Sequence, residues 1–358
     1  MKKILPVIIL CLIMMLALVG CGTNAPASGT ADTKGKANKD VLKISVAAQN
    51  NSGQVFQYMA EARGFLQEEG IDVNMVYINN VTDALTALSG GKVDVLSTYG
   101  TGGPLIQIAN GQDFTIFGGY MIIGETPIYG KRETEWKNLE SFRGKKIGIT
   151  RGGTADTVIR GILSEAGLLN DVTFVEYKKN QEVLQAIAAG EVDFGGTATG
   201  HQLQAADLGL DVKMWPDEYW PNHSCCRMLA TSAWIKDEKN QEALYRMLRA
   251  YLRAEEAMQG NKDEVVDLVV KKLDLDKPTV TSFVKSEHMK YDSDPFKNSV
   301  IKMWDRMIKF GYIKENNIPI AEHINTSIYK KALESLIKDY PNSQFFKDKL
   351  VQFNQNNS

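Results

Sequence analysis

Four short stretches of this 358-residue chain combine hydroxyls, amides and glycines where a strand-like run gives way to a helix-like one. They are AQNNSGQ at 48–54, STYGTGG at 97–103, TRGGTAD at 150–156 and GTATGHQ at 196–202. The first turn of a helix leaves backbone N–H groups without intrahelical partners, and the helix dipole adds partial positive charge there. Glycine lets backbone approach closely, so such loops can hold an anionic or strongly polar head group. The candidate contacts are Asn50 and Ser52 in the first loop and Thr98, Tyr99, Gly100 and Thr101 in the second. Arg151, Gly152, Gly153 and Thr154 follow in the third, and Thr197, Thr199 and His201 in the fourth. Arg151 offers a fork of donors for a sulfonate, a carboxylate or the acceptors of a heterocycle. The competing reading is a capping turn with a solvated arginine. Tyr99 either covers a solute or packs in the core. The glycines form neither a phosphate-binding P-loop nor a dinucleotide fingerprint, because the required lysine and spacing are missing.

A fifth stretch, NHSCCRM at 222–228, places two cysteines side by side between His223 and Arg227. Adjacent Cα atoms are about 3.8 Å apart, short of the roughly 4.4–6.8 Å usual for a disulfide. A Cys225–Cys226 bridge is therefore strained, although an oxidising exterior favours bridges where geometry allows. Zinc usually takes cysteines spaced C-x₂₋₄-C, which this segment lacks. The orders of preference are free thiols in a strand or turn, then a vicinal disulfide, then metal. In a strand, His223, Cys225 and Arg227 share one face, and Cys225 or Arg227 is the expected ligand contact. Trp215, Tyr219 and Trp220 lie just upstream, either as an aromatic wall or as packing.

Elements that would position these loops can be read from periodicity. VLKISVAAQ, IDVNMVYI, KVDVLSTYG, KKIGITRGG and VTFVEYK read as strands. FQYMAEARGFLQEEG, TDALTALSGG, GGPLIQIANG, ADTVIRGILSEAGL and EVLQAIAAG read as the helices between them. Alternation of this kind predicts parallel sheets covered on both faces, with a ligand crevice beyond the carboxyl ends of the strands. The pattern repeats: LSGGKVDVLST at 88–98 aligns without gaps to IAAGEVDFGGT at 187–197, and GFLQEEGI at 64–71 echoes GILSEAGL at 161–168. Two similar α/β lobes follow. Beyond them, Leu244, Met247, Leu248, Tyr251 and Leu252 share one helical face, and Asp294 is a candidate cap ahead of a helix carrying Val300, Trp304 and Ile308.

ARGFLQEEGIDV, LTALSGGKVDVLSTYGTGGPLIQIANG and NLESFRGKKIGITRGGTADTVIRGILSEAGL resemble the solute-binding proteins of ABC importers. The similarity is to the nitrate/sulfonate/taurine type, which is related to the binders of thiamine pyrimidine precursors. The resemblance implies a two-lobed, type II periplasmic-binding-protein-like α/β fold, with two crossover strands as hinge and a helical C-terminal part. Residues 41–127 plus 232–358 would form lobe one and 128–231 lobe two, with crossings near TPIYGKR and CCRMLATSAWIKD. It implies capture of a small anionic or polar organic solute between the lobes and delivery to a permease driven by an ATPase, with no catalysis and no cofactor. A sulfonate or similar anion is the first expectation and a pyrimidine the second. A eukaryotic relative makes that pyrimidine with a histidine and a cysteine-rich, iron-binding segment; His223, Cys225 and Cys226 resemble it only in part, since the longer run of cysteines is missing, and export argues against such an enzyme. A cleft-based sensor is the third reading.

The ends of the chain bear on location. Lys2 and Lys3 precede an apolar run from Ile4 to Val19, shorter than the roughly 20 residues of a membrane-spanning helix and ending in small residues, as an export signal does. LVGC at 18–21 resembles a lipobox, which implies cleavage of residues 1–20 and lipidation of Cys21. Residues 21–40 then read as a flexible tether holding the protein outside the membrane as a lipid-anchored monomer. Of the chain's four cysteines, Cys11 leaves with the signal and Cys21 carries lipid, so only Cys225 and Cys226 remain in the fold. A formal net charge of −2 argues against nucleic acid as a partner.

Overall fold

The computed structural model describes residues 40–49 and 54–358. The signal segment, Cys21 and nearly all of the tether lie outside the described residues, as do Asn50 and Ser52. Two five-stranded sheets organise the rest. The first is built from β1 (Leu42–Ala48), β2 (Ile71–Tyr77), β3 (Val95–Leu96) and β4 (Phe114–Gly119). A short β5 (Met121–Ile123) follows β4. The second sheet takes β6 (Ile128–Lys131), β7 (Lys146–Thr150), β8 (Thr173–Tyr177), β9 (Phe194–Gly196) and β10 (Leu210–Met214). The chain then returns to the first sheet as β11 (Arg227–Thr231), and β12 (Lys290–Tyr291) pairs with β5.

The two sheets share one plan. Their orders are β2-β1-β3-β11-β4 and, read from the other edge, β8-β7-β9-β6-β10. In each, three parallel strands come first, and the fourth strand arrives antiparallel from the other half of the molecule. This is the structural form of the repeat between 88–98 and 187–197. Because β11 pairs with β3 and β4, it belongs to the first sheet, although a boundary at 231/232 would assign it to the second half. The chain thus crosses between sheets through residues 124–127 and again through residues 215–226.

Burial on both faces explains the sequence of the first sheet. Alternation along β1 sends Ile44 and Val46 into one core with Phe56, Met59, Leu244 and Leu248. Ala47 enters the opposite core with Leu85, Leu88 and Leu105. The helix Glu238–Met258 is capped by Asp237, which accepts from the Lys239 and Asn240 amides, and it buries the apolar face read from its sequence. The helix Lys297–Lys309 begins later than the Asp294 cap would place it. The Asp294 carboxylate instead accepts from the Phe296 amide, and Phe296 adopts a left-handed φ of 48° before the first turn.

Candidate functional site

β3 ends at Leu96, and the chain leaves it through Thr98, whose φ of 60° is uncommon for a β-branched residue. That turn brings the Thr98 hydroxyl to accept from the Gln49 amide at 3.1 Å and from the Gln54 side chain at 3.0 Å, so the first two loops are joined. Thr101 then ties the second loop to the returning crossover. Its N–H and its hydroxyl both donate to the Cys225 carbonyl, at 2.7 and 2.6 Å. Gly100 bridges Cys226, and a side chain at Gly100 would meet the Thr154 hydroxyl at 3.4 Å. At Gly102 an added Cβ would stand 3.1 Å from the Gly152 carbonyl. The second loop, from the first lobe, therefore touches the third, from the second lobe.

Gly124 in the first crossing segment completes the junction. A Cβ there would fall 2.6 Å from the Cys225 sulfur and 3.0 Å from the Thr199 hydroxyl, so only glycine fits. Thr199 donates to the Glu125 carbonyl at 3.0 Å, which brings in the fourth loop. Thr197 is buried, with its hydroxyl donating to the Ala198 carbonyl.

Cys225 and Cys226 are free, buried thiols with sulfurs 3.5 Å apart. Their amides donate to the Ile122 and Met121 carbonyls, and β11 begins only at Arg227, so the sulfurs lie side by side rather than on opposite faces of a strand. The neighbouring Cys226 thiol, the Arg227 charge and the Thr154 hydroxyl lower the Cys225 thiol, while its partner and burial push Cys226 well up. Among the described residues no group of three His, Cys, Asp or Glu side chains is placed to share a metal ion.

Several residues singled out from sequence face other duties. Arg151 is half-exposed and pairs with Glu176 at 2.7 Å, with its guanidinium 4.9 Å from the Tyr312 ring centroid. Arg227 is buried and donates to the Pro295 and Cys226 carbonyls and to Ser299; burial lowers it to about 10. The Gly152 amide donates to the Asp156 carboxylate and that of Gly153 to the Thr150 carbonyl. Tyr99 packs in the core and donates to the Ile78 carbonyl. His201 pairs with Gln204 at the start of the helix Gln202–Asp207. Trp215 stacks on His288 with centroids 3.9 Å apart, Trp220 lies under Arg306, and Tyr219 is exposed.

The loops, the two crossing segments and the elements beside them carry buried polar groups without hydrogen-bond partners. Both carboxylate oxygens of Glu125, the hydroxyls of Ser97, Thr126, Tyr129, Thr157 and Tyr291, and both ring nitrogens of His223 are in this state. Buried polar groups are nearly always paired, so these orphaned groups mark a candidate place for a polar ligand. Burial raises the Glu125 carboxyl; the Ser286 and Gln202 side chains approach it and His288 and Asp217 lie nearby. Burial lowers His223 to about 4, so its ring is neutral at pH 7. The site can accept N–H donors at Glu125 and exchange hydrogen bonds with neutral hydroxyls. Sequence reasoning missed Glu125, Thr126 and Tyr129. One signal was present, because Glu125 is the single charged residue between Phe114 and Gly130.

Residues 51–265 match the NMT1/THI5-like family. The chain belongs to that family. The periplasmic aliphatic sulphonate binding protein SsuA from Escherichia coli is similar in fold, with a TM-score of 0.66 at 16% identity, covering 80% of this chain and 98% of that one. The periplasmic nitrate-binding protein NrtA from Synechocystis PCC 6803 gives 0.67 at 16% identity, covering 83% and 89%. In sequence, this NMT1/THI5-like chain is 21% identical over 322 residues to the formylaminopyrimidine-binding protein of Halalkalibacterium halodurans, covering 85% of this chain and 92% of the relative. It is 24% identical over 274 residues to a putative binding protein of Brucella abortus, covering 72% and 82%.

Proposed function

We propose that this protein is an extracytoplasmic solute-binding protein that captures a small polar organic solute between its lobes and delivers it to an ABC importer. The permease and ATPase are its partners, Cys21 is its lipid attachment, and it acts as a monomer without catalysis. Family membership, the two-sheet fold and the export-type leader support this reading.

For the solute, a neutral or weakly basic heterocycle bearing N–H donors, of the aminopyrimidine class, is the better supported of the two classes expected from sequence. The observation that carries it is Glu125, a buried carboxylate with both oxygens unpartnered at the junction of the lobes. An anion would instead need a free cation or free amides. Among the described candidates, Arg151, Arg227 and the Gly152 and Gly153 amides are already engaged. The formylaminopyrimidine-binding relative supports the same class. A thermal-shift panel of aminopyrimidines, alkanesulfonates, taurine and nitrate tests it. Stabilisation by an aminopyrimidine alone is expected, and stabilisation by the sulfonates or nitrate instead would overturn the assignment.

A further inference from the structure

Away from the solute site, a second row of contacts ties the lobes together. The helix Lys297–Lys309 is anchored to the first lobe, where it packs on the helices Gly102–Ala109 and Gln344–Asn356. Arg227 holds its start through the Pro295 carbonyl and Ser299. From that base it reaches across to the helix Thr154–Glu165 of the second lobe. Glu165 pairs with Arg306 and, at 3.3 Å, with Lys302. Lys309 donates to Ser164 at 2.7 Å, and Tyr312, just past the helix, donates to the Asp156 carboxylate.

Arg306 is the centre of the row. Its guanidinium carbon lies 3.5 Å from the Trp220 ring centroid. On its other side is Gly161, where an added Cβ would stand 2.5 Å from Nη1 and 2.6 Å from Cζ. The guanidinium thus fills a slot between the second-lobe helix and an aromatic ring of the returning crossover, and the absent side chain at 161 is what leaves that slot open.

We propose that this row is a closing clasp, and that Gly161, Glu165 and Arg306 are positioning residues that set solute affinity without touching solute. The inference rests on the solute-binder reading. Apparent affinity in such a protein is the intrinsic affinity of the closed form scaled by how much of the protein is closed. Contacts made only when the lobes meet therefore tighten binding, whatever the solute.

Gly161→Ala tests the clasp. Alanine is the better helix former, and the long Arg306 side chain can swing out, so the slot is lost while the fold is kept. The solute-free variant is expected to melt no lower than the wild type and to show a larger radius of gyration in solution scattering. Its dissociation constant for the solute found by thermal shift rises on the order of tenfold, mainly through faster release. Glu165→Gln is expected to move both readouts the same way, and serves if Gly161→Ala melts much lower. Arg143→Gln, which breaks exposed ion pairs with Glu140 and Asp171 within the second lobe, is expected to move neither. Variants as compact as the wild type without solute, or expanded but with unchanged affinity, overturn the proposal. Scattering needs no solute, so failure to find one would count against the binder reading and leave the clasp result standing.

Discussion

Glu125→Gln separates a ligand-binding carboxylate from a structural one. The side chain is 1% exposed and both its oxygens lack partners. If a solute donates N–H groups to it, replacing the carboxylate by an isosteric amide removes a charge-assisted hydrogen bond of about 1.5–3 kcal/mol, or roughly 10- to 100-fold in affinity. The effect on the solute-free protein has the opposite sign. Burial raises the Glu125 carboxyl above its ordinary value of 4.5. A carboxyl whose folded pKa exceeds its unfolded one takes up a proton on folding, so it destabilises progressively as pH climbs from about 4.5 through the raised value. The glutamine variant is free of this penalty. It should melt a few degrees higher than the wild type at pH 7.5, for a gain of about 1–3 kcal/mol, and the difference should vanish near pH 4. Calorimetric titration and melting curves at the two pH values supply both readings. A variant that melts lower at pH 7.5 while binding solute as tightly as the wild type would show that the Glu125 carboxylate is structural and makes no contact with solute.

Four further outcomes are expected. Arg151→Ala should change solute affinity less than about twofold by titration calorimetry, because its guanidinium is already paired with Glu176 and a half-exposed pair of this kind is worth under about 1 kcal/mol. Lys349→Met should lose about 3–5 kcal/mol in chemical denaturation, since it strands the buried carboxylates of Glu255 and Asp292, each 2.5 Å from the Lys349 ammonium. Burial raises Glu255 to about 7, so its contribution to stability is present below its ordinary value of 4.5 and is lost as pH rises through about 7; Glu255→Gln should flatten that window. Cys225 and Cys226 should resist alkylation until the protein is unfolded, and a gain of two hydrogens on reduction in intact-mass measurement would contradict free thiols.

The sheets were legible because their signals are local. Val-Asp opening a strand after a glycine-stopped helix occurs in both halves, and the repeat it marks became two sheets of one topology. Loop placement followed from the same signals: Thr101, Thr154 and Thr199 do meet around Cys225 and Gly124, while Thr98 joins the first loop to the second through Gln49 and Gln54. What each loop residue does there was not legible. Arg151 could not be seen to have Glu176 within reach, nor Arg227 to have Pro295 and Ser299, because those partners lie 25, 68 and 72 residues away in the chain. Tyr99 illustrates the same limit, since only the folded chain brings the Ile78 carbonyl to its hydroxyl. Glu125 was passed over because a carboxylate in a crossing segment has no periodicity to mark it.

A solute-binding protein holds its solute without turning it over, and calorimetric titration with an aminopyrimidine, followed by recovery of the solute and its mass measurement, decides whether this one does. One-to-one saturation with a Kd at or below about 1 μM, and solute returned unchanged, is the predicted result. Conversion of the solute by the protein, or saturable binding of an alkanesulfonate with none of the pyrimidine, would contradict it.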